Sequence, residues 1–223
     1  MIRPVEASVS TGRAVFTRAR APMDAPAPKA VRVGEDEARG VDNDDELMAR
    51  IALDDQEAFR LLVERWQNPV FAFLTRMIGS AEEALDLSQD VFTRVHRERS
   101  RYLRNGRFRC WIFRIAGNLA RGYLRRRKIL CWMRLDVNLH DRPASEPPAD
   151  LRREREDVRE RVRAAIAHLP ERQRQAVLLR RFEGLSHEEI ASALGTSPAA
   201  IESLLQRAMA GLRKDLGPWM VKS

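Results

Sequence analysis

One predicted helix carries residues of the kinds that contact nucleic acids. Trp111, Arg114, Asn118, Arg121 and Arg125 are separated by three, four, three and four positions, so they share one helical face. Arginine binds phosphate, asparagine bonds to a base edge, and an aromatic ring stacks on an unpaired base. The spacing favours a nucleic-acid interface, although a solvated basic face with Trp111 in the core has the same pattern.

The chain around this stripe is strongly basic. Residues 91–134 contain fourteen Lys and Arg against one acidic residue, in a 223-residue chain whose net charge is +8. The run Arg125-Arg-Arg-Lys128 extends the positive charge. A basic amphipathic helix can also lie on a membrane surface. The four arginines between 101 and 109 lie in and near a loop rather than on a helix face, which fits phosphate binding better.

A second pattern, near the C-terminus, predicts a helix-turn-helix. Ser186 and Glu189 form a capping box, Gly195 ends the short helix, and Ser197 caps a new helix with Pro198 at its first position. This is the arrangement that places a recognition helix in the DNA major groove, although an αα-corner in a helical bundle shares it. The candidate DNA-reading residues are Ser197, Ala199, Ser203, Gln206 and Arg207.

An acidic segment precedes the basic one. Residues 43–90 carry eleven acidic and four basic residues, a net charge of −7. The carboxylates of 81–90 lie on a predicted helix among apolar residues such as Leu85 and Val91. This arrangement indicates a docking surface for a protein more than an acid–base pair in a cleft.

Helical periodicity and breaks in composition predict the organisation of the chain. Apolar residues recur at three- and four-residue spacing from Asp44 onwards, and Pro69 should kink or split the helix that contains it. No strand alternation of useful length occurs, so we expect an all-α fold of two small helical domains joined by a flexible acidic linker. The predicted boundaries are a flexible tail 1–42, a first domain 43–134, a linker 135–150, a second domain 151–216 and a C-terminal tail 217–223.

Several functional classes are excluded or disfavoured. No apolar run approaches the roughly 18 residues of a transmembrane helix, and no secretory signal is expected. Two cysteines, Cys110 and Cys131, are too few for a disulfide framework or a Cys-rich zinc site. The four histidines show no metal-ligand spacing, and no phosphate loop or nucleophile motif occurs. We therefore expect a cytoplasmic, non-enzymatic protein with no metal and no cofactor.

Three motifs in this order resemble the extracytoplasmic-function sigma factors, the smallest members of the sigma-70 family. Residues 84–95 resemble the core-polymerase-binding segment, 108–119 the promoter-melting and −10-recognition segment, and 169–212 the −35-binding domain. The resemblance spans Asp44 to Leu216, apart from the linker. It implies a specificity subunit that binds core RNA polymerase and promoter DNA and catalyses nothing.

The resemblance also implies roles for individual residues. The polymerase clamp helices would meet Asp86, Leu87, Gln89, Asp90 and Phe92, and the polymerase flap is a further expected contact. Asn118, with the loop 102–108, would capture a flipped −10 base, while Trp111 and the stripe arginines support that strand. Ser203 and Arg207 match positions that read the −35 duplex. Leu204 and Gln206 depart from the family pattern, so base preference is not carried over.

Other functions and partners remain open at this point. An anti-sigma protein is a further expected partner, and membrane insertion is not expected. An autonomous helix-turn-helix regulator is the main alternative function, but it has no need for the acidic docking helix or the stripe around Asn118. A nucleic-acid-modifying enzyme is disfavoured because the sequence lacks a metal or nucleophile cluster.

Overall fold

The computed structural model describes residues 43–133 and 150–220, which form eight α-helices and one 3-10 turn, Arg99–Arg101. No strand occurs within these two ranges, which confirms the all-α prediction. The predicted tail 1–42, nearly all of the predicted linker and residues 221–223 lie outside the described residues. The helices are α1 (Asp44–Ala52), α2 (Gln56–Ile78), α3 (Ala81–Arg97), α4 (Phe108–Met133), α5 (Asp150–His168), α6 (Glu171–Arg181), α7 (His187–Leu194) and α8 (Pro198–Met220).

Helices of the first half begin and end where the sequence supplies caps. Asn43 opens α1, with a capping box to Glu46. Gly79 ends α2 with a φ of +83°, a conformation that glycine adopts without steric cost. The Ser80 side chain then accepts a hydrogen bond from Glu83 N and opens α3. The boundary predicted at Gly79-Ser80 is therefore confirmed.

Helix α2 is continuous through Pro69, so the predicted split of this helix is wrong. Proline removes one backbone donor, which weakens a helix at that turn. Trp66 and Val70 on either side of it, and Phe73 one turn further on, are all buried in the same core. Burial of this shared apolar face stabilises the helix on both sides of Pro69, which outweighs the local loss.

Aromatic rings join α2 to α4 in the core of the first half. Phe113 and Phe73 are almost completely buried, and their ring centroids lie 5.3 Å apart. Trp66 meets Phe108 at 5.6 Å and Phe113 at 6.0 Å, in edge-to-face geometry. The first turns of α4 are therefore anchored against the middle of α2.

The second half consists of α5 to α8. Leu178 and Leu179 of α6 and Ile190 of α7 are buried, and Ile201 and Ala208 bring α8 onto them. Helix α8 runs to Met220, beyond the boundary predicted at 216. A proline near the end of a helix removes only one intrahelical hydrogen bond, so the helix continues past the position at which the sequence suggested a tail.

The two halves pack directly on one another: α4 lies against α7, and α2 lies against α5 and α6. Arg174 Nη1 donates to the Met77 carbonyl at 2.6 Å, and Arg109 donates to the Glu183 carbonyl. Glu183 is only 6% exposed, and burial raises the pKa of its carboxyl group, against the opposing charges of Arg109 and Arg76. The contact between the halves is thus rich in polar and charged groups.

A glycine allows α4 to approach α6. A Cβ atom placed on Gly117 would lie 1.9 Å from Gln175 Nε2 and 2.7 Å from Gln175 Cδ. Gln175 is fully buried, and neither of its amide atoms has a hydrogen-bond partner within the described residues. A methyl group at position 117 therefore has to displace a buried side chain or separate the two helices.

We expect Gly117→Ala to loosen the contact between the halves. Alanine is favoured over glycine inside a helix by about 1 kcal/mol, so local propensity alone predicts stabilisation. The overlap with Gln175 predicts the opposite sign, a net loss of about 1–3 kcal/mol. Urea titration measures the stability, and small-angle X-ray scattering should report a larger radius of gyration.

Gly122 on the same helix is the matched control, because a Cβ there would approach nothing closer than 3.9 Å, at Arg126 Nη1. Gly122→Ala should be neutral or stabilising. Adding Gln175→Ala to Gly117→Ala should restore the compact form. If Gly117→Ala and Gly122→Ala behave alike, the halves do not pack as described.

Candidate nucleic-acid interface

The predicted stripe of α4 does share one face of the helix. Arg114, Asn118 and Arg125 are exposed, and Trp111 and Arg121 are half-buried. Arg121 Nη2 donates to Asn118 Oδ1 at 2.5 Å, so the amide is already oriented within the stripe. Burial, followed by the nearby guanidinium of Arg172, lowers the pKa of Arg121. This face presents cations and one amide that both donates and accepts, which suits a nucleic-acid strand.

The loop before α4 extends this surface. Leu103, Arg104 and Asn105 are exposed, with Leu103 at 76%. Tyr102 packs its ring against Trp111, with centroids 5.0 Å apart, and against Phe108 at 5.7 Å. The loop and the stripe are therefore joined through aromatic contacts rather than lying on separate surfaces.

The second half borders the stripe. A Cβ atom on Gly195, in the turn between α7 and α8, would lie 3.7 Å from Arg114 Nη2. At the other end of the stripe, Lys128 Nζ pairs with Glu171 Oε1 at 3.0 Å. In this arrangement the turn of the helix-turn-helix occupies space directly beside the basic face of α4.

The helix-turn-helix has the caps that its sequence predicts. Ser186 and Glu189 exchange both hydrogen bonds of the capping box, at 2.7 and 3.2 Å. Gly195 has a φ of +63°, and Ser197 Oγ accepts from Ala200 N at 3.3 Å. The prediction of a short helix, a tight turn and a second helix is confirmed, with α7 and α8 as the two helices.

The predicted reading face of α8 is open to solvent. The exposed side chains are Ser197, Ala199, Ser203, Gln206 and Arg207. Arg207 Nε donates to the Ser203 carbonyl of its own helix at 3.1 Å, and Gln206 Nε2 lies 3.5 Å from Glu202 Oε1. Ile201 and Ala208 on the other side of the helix are fully buried. All five candidate residues are available to a ligand.

The acidic helix α3 presents only part of the predicted docking set. Asp86, Gln89 and Asp90 are exposed, but Leu87 and Phe92 are 6% and 4% exposed and belong to the core. The prediction that Leu87 and Phe92 contact a partner directly is therefore corrected. Both side chains lie on the inner face of an amphipathic helix, which buries them.

Leu85 is an exposed apolar side chain on the side of α3 that carries the predicted docking residues. The sequence pattern places it among the apolar residues of the helix, yet it is 43% exposed and lies beside Asp86 and one turn before Gln89. Its position in the helical register is the signal that identifies it, because residues 85, 86, 89 and 90 share one side of the helix. The exposed surface is thus an apolar side chain surrounded by acids and an amide.

Three further features of the described chain concern a thiol, metal binding and membrane crossing. Cys110 is buried, and burial raises the pKa of its thiol. Over residues 43–133 and 150–220, no group of three or more His, Cys, Asp and Glu residues is arranged to hold a metal ion. Among the described helices, none is both long and apolar enough to cross a membrane.

Comparison with known proteins gives a consistent result. The family model for Sigma-70 region 2 matches residues 62–129, and that for Sigma-70 region 4 matches residues 159–212. The RNA polymerase sigma-H factor of Pseudomonas aeruginosa is 30% identical over 187 residues, which are 79% of this chain and 95% of the relative. The ECF RNA polymerase sigma-E factor of Haemophilus influenzae is 32% identical over 79% of this chain and 97% of its own length.

Solved structures share the architecture. The structure of CnrH in complex with the cytosolic domain of CnrY is similar with a TM-score of 0.59 at 27% identity, and the match covers 80% of this chain and 99% of that one. The sigma factor RpoE of Bartonella quintana, solved with the anti-sigma factor NepR, is similar with a TM-score of 0.56 at 22% identity. The match covers 71% of this chain and 96% of that one. The second likeness shows the fold alone. The two sigma-70 regions match in order along the chain, and the relatives align over nearly their whole length. This chain therefore belongs to the sigma-70 family, as an extracytoplasmic-function sigma factor that serves in transcription initiation.

Proposed function

We propose that this sigma factor uses three separate surfaces: α3 for core RNA polymerase, α7–α8 for the −35 duplex, and the α4 stripe for melted −10 bases. The observation that carries the proposal is that one chain presents all three candidate sets at its surface, apart from the buried Leu87 and Phe92 and with Trp111 and Arg121 half-buried. Residues 43–134 act as the polymerase- and −10-binding domain, and 151–216 act as the −35-binding domain. The polymerase flap is a further contact.

The contribution of α8 follows from helix-turn-helix geometry. A recognition helix enters the major groove with its N-terminal residues against the base edges. The exposed residues near the start of α8 are small, which lets the helix backbone approach the duplex, and Arg207 two turns on is long enough to reach a base or phosphate. The second half therefore binds duplex DNA in a sequence-dependent way and does not open it.

The contribution of α4 is to bind the opened strand. Asn118 recognises a base edge, which a base offers only after it has left the stack. The stripe arginines bind the phosphates of the same strand. Binding the single-stranded form offsets part of the free energy of melting, so the equilibrium shifts towards the open complex. No bond is made or broken by the sigma factor, and it acts in the cytoplasm with the polymerase.

The packed arrangement of the two halves has a functional consequence. The helix-turn-helix turn lies against Arg114, and Glu171 pairs with Lys128, so the second half and a DNA strand compete for the basic face of α4. The halves therefore separate when both elements of a promoter are bound. CnrH and RpoE were solved with protein partners, and an anti-sigma protein is the partner of that class for this chain.

The docking role of α3 predicts that Asp86→Arg with Asp90→Arg weakens core-polymerase binding at least tenfold while the fold survives, because both side chains face solvent. Titration of fluorescently labelled polymerase measures the affinity. Asp157→Arg with Glu160→Arg makes the same charge change on exposed positions of α5 and should have little effect. Equal affinity of the α3 variant and the wild type would show that α3 is not the docking surface.

The −35 role predicts that Arg207→Ala lowers holoenzyme affinity for a selected promoter by about 1–3 kcal/mol if Arg207 makes a bidentate base contact. The loss should disappear on promoters that carry a changed base pair at the contacted position. Arg213→Ala, at an exposed position further along α8, should not alter base preference. Competition binding measures both effects, and a promoter preference that Arg207→Ala leaves intact would exclude this residue as a reader.

The −10 role predicts that Asn118→Ala spares polymerase assembly and the closed complex but impairs strand opening and relaxes base choice. Permanganate footprinting of thymines reports opening, and transcription from duplex and pre-melted templates separates melting from assembly. Arg125→Ala is the comparison: it should leave base choice unchanged and reduce the salt dependence of binding by about 0.7 per phosphate contact. Equal defects of Asn118→Ala on both templates, for every base tested, would make Asn118 structural.

A further inference from the structure

A single carboxylate joins the start of the first helix to the loop before α4. Asp45 Oδ1 accepts a hydrogen bond from the Tyr102 hydroxyl at 2.5 Å, and Asp45 Oδ2 accepts one from Gly106 N at 2.7 Å. The two donors stand at opposite ends of the exposed loop residues 103–105. Both oxygens of one side chain therefore hold both ends of the loop against α1.

Asp45 is itself held in place. Its backbone N–H donates to Asn43 Oδ1 at 2.7 Å, and Glu46 Oε2 accepts from Asn43 N at 3.1 Å, which completes the capping box of α1. Leu47 and Met48 immediately after it are buried in the core. The carboxylate is thus a fixed reference point for the loop rather than a mobile surface group.

The two donors of the loop are suited to this contact. Burial raises the pKa of Tyr102 and the Asp45 carboxylate raises it further, so the hydroxyl remains a proton donor. Gly106 has a φ of +70°, and no atom outside its neighbours lies within 4 Å of a Cβ placed there. This left-handed turn, which side chains rarely adopt, presents the backbone N–H to the carboxylate.

The loop combines a fixed backbone with free side chains. Leu103, Arg104 and Asn105 are exposed, while the residues at either end of them are bonded to Asp45. Tyr102 also packs on Trp111, so the same contact reaches the α4 stripe. A binding loop whose backbone is held before the ligand arrives loses less conformational entropy on binding.

The charge of Asp45 supports a role through the loop rather than a contact with DNA. A carboxylate near a phosphate strand repels it, and the segment around this loop is strongly basic. Both carboxylate oxygens of Asp45 accept hydrogen bonds from the loop, so the charged group contacts the loop.

We propose that Asp45 is a positioning residue for promoter recognition: through Tyr102 and Gly106 it holds the loop 102–107 and the adjoining face of Trp111 in the conformation that receives single-stranded −10 DNA. The inference rests on the proposed function of the α4 stripe. It extends that function to a residue of α1 that lies 73 positions before Asn118 in the chain.

The test compares two variants in full-length protein assembled with core polymerase: Asp45→Ala, which removes both hydrogen bonds to the loop, and Tyr102→Phe, which removes one of them. The probe is a fluorescent single-stranded oligonucleotide selected by wild-type holoenzyme from a random pool. Loss of a hydrogen bond to a charged group predicts roughly tenfold weaker binding for each variant and a smaller penalty for a wrong base. The double variant should be little worse than Asp45→Ala alone, because Asp45→Ala already removes the bond to Tyr102.

Glu57→Ala is the matched control, because it removes one exposed carboxylate from the first turn of α2, where the side chain bonds to Arg60 of its own helix, and it leaves both hydrogen bonds to the loop. It should bind the probe within about twofold of wild type, as expected for an exposed site away from the contact. Hydrogen exchange of the Gly106 amide in free protein should accelerate in Asp45→Ala and not in Glu57→Ala. Core-polymerase affinity should be the same in all variants.

The outcomes separate the two proposals. If wild-type holoenzyme selects no single-stranded sequence, the proposed function of the stripe fails before Asp45 is tested. If wild type selects one and Asp45→Ala frees the Gly106 amide without changing probe affinity or base discrimination, the positioning role is wrong. If Asp45→Ala does not fold, Tyr102→Phe, which removes one oxygen atom, decides by probe affinity and base discrimination.

Discussion

The rest of the structure depends on α4, because this one helix has to bury two of its sides and expose a third. Its apolar side packs on α2 and α3, a second side packs on α7, and the remaining face carries the basic stripe. Phe113 and Ile112 are fully buried on the first side, while Arg114, beside them in the chain, is exposed. A helix has room for these three tasks only because successive residues point in directions about 100° apart.

The chemistry of the contact between the halves differs from that of the core inside each half. Inside the first half, the rings of Trp66, Phe73 and Phe113 meet edge to face in a largely apolar core. Between the halves, Arg174 donates to a carbonyl of α2 while Gln175 is buried without a hydrogen-bond partner within the described residues. A buried amide without a partner costs free energy that water or another ligand can return.

The proposed −10 surface depends on residues that lie far apart in the chain. The stripe is local to α4, but the loop beside it is hydrogen-bonded to α1, and Trp111 contacts Tyr102. Asp45 bonds to both ends of this loop, while the side chains of residues 103–105 face solvent. A surface whose backbone is held in this way loses less conformational entropy when it binds a ligand.

The sequence by itself determined the helices, their caps and the spacing of the candidate residues. The capping boxes, the glycines with positive φ and the i, i+3, i+4 periodicity are local, so the order of residues is enough to predict them. The same local periodicity predicts that the α4 stripe shares one face and that the candidate residues of α8 share another. The sigma-70 resemblance came from the same local motifs.

Tertiary structure alone decided which apolar residues face outwards and which distant residues meet. Leu85 and Leu87 have the same side-chain type and stand two positions apart, yet one is exposed and the other buried, because the neighbouring helices cover only one side of α3. Pro69 leaves α2 intact because the core holds both of its ends. The contact of Asp45 with Tyr102 and that of Gly117 with Gln175 span 57 and 58 positions. No local pattern encodes such contacts, since they arise only when packing brings separate helices within reach of one another.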